Sequence, residues 1–187
     1  LLKLRRPQVG ARPEWRAIRA AGSHGIPVPG IVAYGETGGS WASRSSFLVT
    51  DEVAPAINLE ELFETTPVDS ETRRPLVRAV ARLARRLHES GLNHRDFSLC
   101  HFLLDNTSSD STTPRLTLID LHRAQVHRQI PRRWQVKDIA GLYFSAMDIG
   151  LSRRDMLLFL GCYTGRSLRD TLADNDGFWR DVRRRAH

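Results

Sequence analysis

Two aspartates frame the chemistry that this chain could perform. Asp96 stands in Asn93-His94-Arg95-Asp96, shortly before the apolar run Phe102–Leu104, and Asp120 closes a second apolar run, Leu116–Ile119. A polar segment rich in Ser, Thr, Asp and Asn joins the runs. The stretch therefore reads as two short strands and a turn, which bring both carboxylates to one edge of a sheet. A carboxylate that accepts a proton from a hydroxyl, beside one that holds a divalent metal, is what phosphoryl transfer asks of a protein. His101, between them in sequence, is either a ligand of that metal or a partly buried structural histidine. The plainer alternative for each aspartate is a turn-forming side chain that caps backbone N–H groups.

A rival chemistry uses the same stretch. His94, Asp96, His101, Asp120 and His122 could form a metal cluster whose activated water hydrolyses a substrate. Against it, His94, Asp96 and His101 lack the i, i+4 spacing of paired helical ligands. Hydrolysis also has no need of a long helix before the loop and a hairpin after it. The arrangement reads instead as the catalytic loop and metal-binding strand end of an α+β, protein-kinase-like fold in two lobes.

The elements that must position these residues follow from periodicity. Leu76, Val77, Val80, Leu83, Ala84 and Leu87 recur at helical spacing in Ser70–Ser90, with Asp69 or Ser70 as cap and Gly91 as stop, leading into the loop of Asp96. Upstream, a helix begins at Arg12-Pro13-Glu14 and runs to Gly22, with Trp15, Ile18 and Ala21 on one face. Ile31–Tyr34 and Phe47–Thr50 are strands around a hairpin at Gly38–Ser46, and a short helix covers Leu59–Phe63. Downstream, Leu121–Arg133 is irregular and basic, and a helix spans Trp134–Ile149. Ser152-x-x-Asp155 opens another that buries Met156, Leu157, Phe159 and Leu160. Ser167-x-x-Asp170 opens a last one, ending in the cluster Arg183–Arg185. The shift from strands to helices near residues 51–58 divides a small N-terminal lobe, 1–53, from a helical lobe, 54–187.

Length and composition bound the function. A chain of 187 residues is one domain by length. It has no signal-peptide pattern and no apolar run near the ~18 residues of a spanning helix. Cys100 and Cys162 form neither a metal-ligand spacing nor a disulfide framework, which suits a reducing cytoplasm. A net charge of +7, mostly arginine, favours anionic partners. Without aromatic interleaving or a recognisable motif, nucleic acid is not among those expected.

Asn93-His94-Arg95-Asp96, Cys100-His101-Phe102-Leu103-Leu104, Ile119-Asp120-Leu121-His122-Arg123-Ala124-Gln125 and Lys137-Asp138-Ile139-Ala140 resemble the lipopolysaccharide kinase (Kdo/WaaP) family. Glu14-Trp15-Arg16-Ala17-Ile18 and Phe144-Ser145-Ala146-Met147-Asp148-Ile149-Gly150-Leu151 extend the resemblance over essentially the whole chain. It implies ATP-dependent phosphorylation of a heptose hydroxyl on the Gram-negative inner core, at the cytoplasmic face of the inner membrane. A Kdo acceptor, or a catalytically inactive kinase-like protein, is the alternative. The implied cofactors are ATP and Mg2+, with Mn2+ in its place if His101 coordinates directly. The implied partners are the inner-core acceptor and an anionic membrane surface.

By the same resemblance Asp96 is the general base, Asp120 the metal-binding aspartate, and His101 stands where kinases at large have Asn. Of its two roles, standing back to hydrogen-bond a phosphate oxygen or a metal-bound water is preferred to direct ligation. Glu14 matches the helix glutamate that pairs with the ATP-anchoring lysine; a local ion pair with Arg16 or Arg19 is its plainer role. Asp51, Glu52 and Val53 are the hinge beside adenine, and His94, Arg95 and Asp138 support the catalytic loop. Separately, Arg128, Arg132 and Arg133 follow Asp120 closely, where an acidic acceptor or a membrane would approach. The family's glycine-rich loop and strand lysine have no counterpart here, and Lys3 reads as an ordinary basic residue. The expectation is thus a truncated small lobe with an open sheet edge at Ile31–Tyr34 and Phe47–Thr50, and a fragment that is itself inactive.

Overall fold

The computed structural model describes residues 10–40, 43–106, 113–173 and 177–187. Lys3, Arg5, Arg6 and the centre of the polar loop after Asn106 lie outside the described residues. The first helix, α1 (Arg12–Ser23), carries Pro13 in its first turn and buries Ala17, Ile18 and Ala21. Trp15 is only half-buried, because it stacks on Tyr34 with ring centroids 4.8 Å apart instead of entering the core. Tyr34 belongs to β1 (Ile31–Thr37), which pairs antiparallel with β2 (Ser45–Thr50). Val32 and Phe47 on this two-stranded sheet are 61% and 56% exposed, so much of its apolar surface faces outward.

A strand the periodicity did not disclose follows. β3 (Ala56–Asn58) is too short to show alternation, and its partner lies far along the chain. Asn58 then caps α2 (Leu59–Thr65), its side-chain oxygen accepting from the Glu61 N–H at 2.9 Å. The long helix α3 (Ser70–Glu89) is capped by Asp69 and buries Leu76, Val80, Leu83, Ala84 and Leu87. Gly91 turns the chain with φ 83°, and a side chain there would strike the His127 carbonyl.

Beyond that turn lie β4 (Leu92–Asn93), β5 (Phe102–Asp105) and β6 (Leu116–Leu118), and then β7 (Gln125–Val126). β3, β5 and β6 form one antiparallel sheet, with Phe102 opposite Leu118 and Leu104 opposite Leu116. β4 pairs with β7, so the segment expected to be irregular is tied down across the start of the Asn93–Asp96 loop. Phe102, Leu118, Leu87, Leu92 and Leu121 are fully buried beneath this layer.

The remaining helices depart from the periodicity in detail. α4 (Arg132–Ser145) starts just after Pro131, earlier than expected, and stops short of Ile149. α5 (Arg153–Thr164) opens with a capping box between Ser152 and Asp155. Met156 is 36% exposed rather than buried, because the apolar face of α5 lines a cavity of about 450 Å3 shared with α3 and α4. The last expected helix is two, α6 (Leu168–Ala173) and α7 (Phe178–Ala186), and Gly177, left-handed at φ 76°, begins the second. Among the described residues, no helix is long and apolar enough to cross a membrane.

Candidate active site

The loop of Asp96 is held from beneath by one buried carboxylate. Asp138 of α4 accepts from the His94 N–H at 2.7 Å and the Arg95 N–H at 2.8 Å, while His88 Nε2 of α3 lies 3.3 Å from the same carboxyl. Tyr163 of α5 meets the other ring nitrogen of His88 at 2.7 Å, so three helices converge on the loop through buried polar atoms. Burial holds the Tyr163 hydroxyl well above the usual tyrosine range. Arg95 adopts a left-handed backbone, φ 71°, and its carbonyl accepts from Lys137 Nζ at 2.5 Å. Its guanidinium turns away from the cleft and lies 5.2 Å over the Trp134 ring. Gly141 lets α4 come close beneath, since a Cβ there would sit 2.9 Å from the Phe97 carbonyl.

With its backbone fixed in this way, the Asp96 side chain is left at the surface. It is 49% exposed, with Arg123 Nη1 at 3.3 Å. His94 is buried, its Nε2–H donating to the Ile119 carbonyl at 3.0 Å, just before Asp120. Burial depresses its basicity, so this imidazole is a neutral strut between the two strand ends. His101 stacks on it, ring centroids 5.2 Å apart, and links the two aspartates. Its Nδ1–H donates to the Asp96 carbonyl at 2.7 Å, and its Nε2 lies 3.3 Å from Asp120 Oδ2.

That geometry provides a test of metal fit. His101 Nε2 and Asp120 Oδ2 stand 3.3 Å apart, a spacing at which an imidazole nitrogen and a carboxylate oxygen can share one cation. Asp120, left-handed at φ 60° and 38% exposed, offers the hard oxygen that magnesium prefers, and His122 Nδ1 donates to its other oxygen. The pair therefore fits a divalent ion completed by phosphate oxygens and water. It does not fit the rival hydrolytic cluster. Among the described residues, no group of three or more His, Cys, Asp or Glu side chains is arranged to hold a metal, and His94 is committed to Ile119.

Glu14 lies on the same side. The local ion pair with Arg16 or Arg19 does not form; Arg19 instead packs over Trp15, 4.9 Å from the ring centroid. Burial, and secondarily the negative charge of Asp120, push the Glu14 carboxyl above its usual range. Asp51, Glu52 and Val53 line a separate groove with Pro27–Gly30 and the outer face of α3. Arg128 and Arg133 are exposed, the latter over the Trp134 ring. Arg132 is committed to Asp181 at 2.9 Å and lies over Phe178, a junction between α4 and α7. Sequence analysis assigned no role to His88, Tyr163, Lys137 or Arg123, the last two appearing only within motif strings. Three of them sit on helix faces where a polar residue among apolar ones was the available signal; Arg123 carried none beyond its place after Asp120.

Residues 1–163 match the family model described as the lipopolysaccharide kinase (Kdo/WaaP) family. The chain is 46% identical to the lipopolysaccharide core heptose(I) kinase WaaP of Pseudomonas aeruginosa, over all of this chain and 71% of that protein. It is 40% identical to the protein of the same name from Escherichia coli K12, over 92% of this chain and 67% of that one. A solved structure, WaaP in complex with acyl carrier protein, superposes with a TM-score of 0.86 at 46% identity, covering 94% of this chain and 75% of that chain. On that match and these identities, the chain belongs to the lipopolysaccharide kinase (Kdo/WaaP) family.

Proposed function

We propose that this protein transfers the γ-phosphoryl group of ATP to a hydroxyl of the first heptose of the lipopolysaccharide inner core. The observation that carries the reading is the His101 bridge between Asp96 and Asp120, in a chain 46% identical over its whole length to a heptose(I) kinase. Asp96, exposed on a rigid loop, takes the proton of the acceptor hydroxyl. Asp120 and His101 Nε2 would hold a divalent cation, Mg2+ or, with the imidazole as a direct ligand, Mn2+, which when bound would neutralise phosphate charge. The orientation of His101 thus favours direct ligation over the stand-back role expected from ion hardness alone. Glu14 awaits a cation, and a lysine that anchors the nucleotide phosphates is the partner that its position and lack of an ion pair favour. Residues 1–53 serve as small lobe and 54–187 as helical lobe, with Asp51–Val53 as the hinge between them.

Phosphorylation of a heptose-terminated inner-core oligosaccharide by the full-length protein is the test, the 187-residue chain by itself being expected to be inactive. Asp96→Ala should lower kcat by about 10²–10⁴ with ATP binding retained. Near-normal turnover by that variant removes Asp96 from the chemistry, and transfer to a Kdo hydroxyl in place of heptose moves the acceptor.

We also propose an acyl carrier protein as partner, since the solved relative is held in a complex with one. The cavity between α3, α4 and α5 is apolar, lined by Leu76, Leu142 and Phe159, with Arg153 and Arg183 also on its wall. It suits an acyl chain followed by a phosphate. Titration with acylated and unloaded carrier protein should give tighter binding of the acylated form; equal affinity would take the cavity out of the interface.

A further inference from the structure

A phosphoryl group in flight needs positive charge from the protein as well as from a metal, because negative charge spreads over its three non-bridging oxygens. The loop around Asp96 does not supply it from its own sequence. Phe97, Ser98, Leu99 and Cys100 follow the aspartate, and none is basic. Arg95 is adjacent but points inward, with its guanidinium over Trp134 and its Nε buried. Lys137 is close, yet its ammonium is tied to the Arg95 carbonyl, and burial, together with Arg123 and Arg95, depresses its basicity. Arg123 is placed differently. It lies in the turn after Asp120, its side chain is 47% exposed, and its Nη1 stands 3.3 Å from Asp96 Oδ2. The turn that carries it is anchored by two buried residues, Leu121 and Ala124.

We propose that Arg123 is a further catalytic residue of the phosphoryl transfer assigned above, and that its guanidinium binds the non-bridging oxygens of the group in transit. In that step the acceptor hydroxyl oxygen forms a bond to the γ-phosphorus while the bond from that phosphorus to the β,γ-bridging oxygen breaks. The hydroxyl proton passes to Asp96, and the bonding pair leaves with ADP. No bond to Arg123 is made or broken; the planar, permanently charged fork supplies donors where charge is spread. Before nucleotide arrives, the same guanidinium rests on Asp96. The pair is exposed and loosely made, so releasing it costs little.

The inference rests on the kinase reading, and the experiment separates the two. The full-length protein, unaltered and with Arg123→Gln or Arg123→Lys, is assayed with ATP and the heptose-terminated oligosaccharide, alongside thermal melting. Arg123→Gln should lose about 10²–10³ in kcat, the usual worth of one donor to a developing oxyanion, and melt as the unaltered protein does. KM for ATP and for acceptor should change by about twofold or less, because the interaction belongs to the transition state. Arg123→Lys should recover part of kcat, since charge is restored without the fork. An unchanged or raised kcat in Arg123→Gln makes the arginine a ground-state tether of Asp96 and overturns the proposal. A loss confined to KM for the acceptor also overturns it, by placing Arg123 on the acceptor's fixed anionic groups. No transfer by the unaltered protein overturns the kinase reading and this inference together, whereas transfer that is indifferent to Arg123 overturns the inference alone.

Discussion

Asp96 and Asp138 sit on opposite sides of the same loop and are treated in opposite ways. The Asp138 side chain is fully buried and spends both oxygens on backbone N–H groups of that loop, with His88 closing the set. The Asp96 side chain is half exposed and, among the described residues, its one ion pair is with Arg123 at 3.3 Å. One carboxylate fixes where the chain goes, and the other is left standing at the surface. The contrast teaches how the fold separates anchorage from exposure: the Asp96 side chain can stand free because the backbone beside it is held.

The most direct way to break that contrast is at the buried side. Asp138→Ala leaves the His94 and Arg95 N–H groups and His88 without their acceptor, and it should destabilise the protein by roughly 3–5 kcal/mol, since each buried donor left without a partner costs about 1–3 kcal/mol. Asp96→Ala, although it removes the same chemical group, should leave the denaturation midpoint almost unchanged while turnover collapses. Urea unfolding of both variants decides the matter, and equal stability losses would erase the distinction drawn between the two carboxylates.

A smaller effect sharpens it. Glu14 is intermediate: it is half-buried and, among the described residues, without an ion pair, and burial first and then the charge of Asp120 raise its pKa above the ordinary value of 4.5. The folded state then binds this proton more readily than the unfolded one. The stability that the group contributes is present below pH 4.5 and is lost as pH rises through the raised value. In the 187-residue chain, Glu14→Gln should therefore raise Tm at pH 7, by on the order of 1–2 °C, and give no gain near pH 4. A gain that persists at pH 4 would point to packing rather than charge.

Much of this arrangement was legible in the residues. The two apolar runs and the loop between them were enough to place Asp96 and Asp120 on a hairpin, since strand alternation and turn composition are local properties. The helix α3 was as legible, because its apolar stripe runs the length of the helix. What escaped was made by partners distant in sequence. β3, and the pairing of β4 with β7, involve segments of two or three residues, which carry no period. The chain Tyr163–His88–Asp138 joins α5, α3 and α4, and nothing in any one helix announces the other two. The break between α6 and α7 turns on the positive φ of Gly177, whereas the expectation followed the cap at Ser167 and read straight through.

The left-handed backbone at Arg95 has a consequence for how this region opens. A non-glycine residue in that conformation carries strain on the order of 1–3 kcal/mol and keeps it only while its surroundings insist. Here the insistence comes from Asp138, through the Arg95 N–H itself. The amide protons of His94 and Arg95 are held by Asp138 of α4, and release of that carboxylate would let the strained residue relax. Loop and helix should then exchange their amide hydrogens as one cooperative unit rather than fraying separately. The slowest-exchanging amides of the catalytic loop would then lie beside its most exposed side chain.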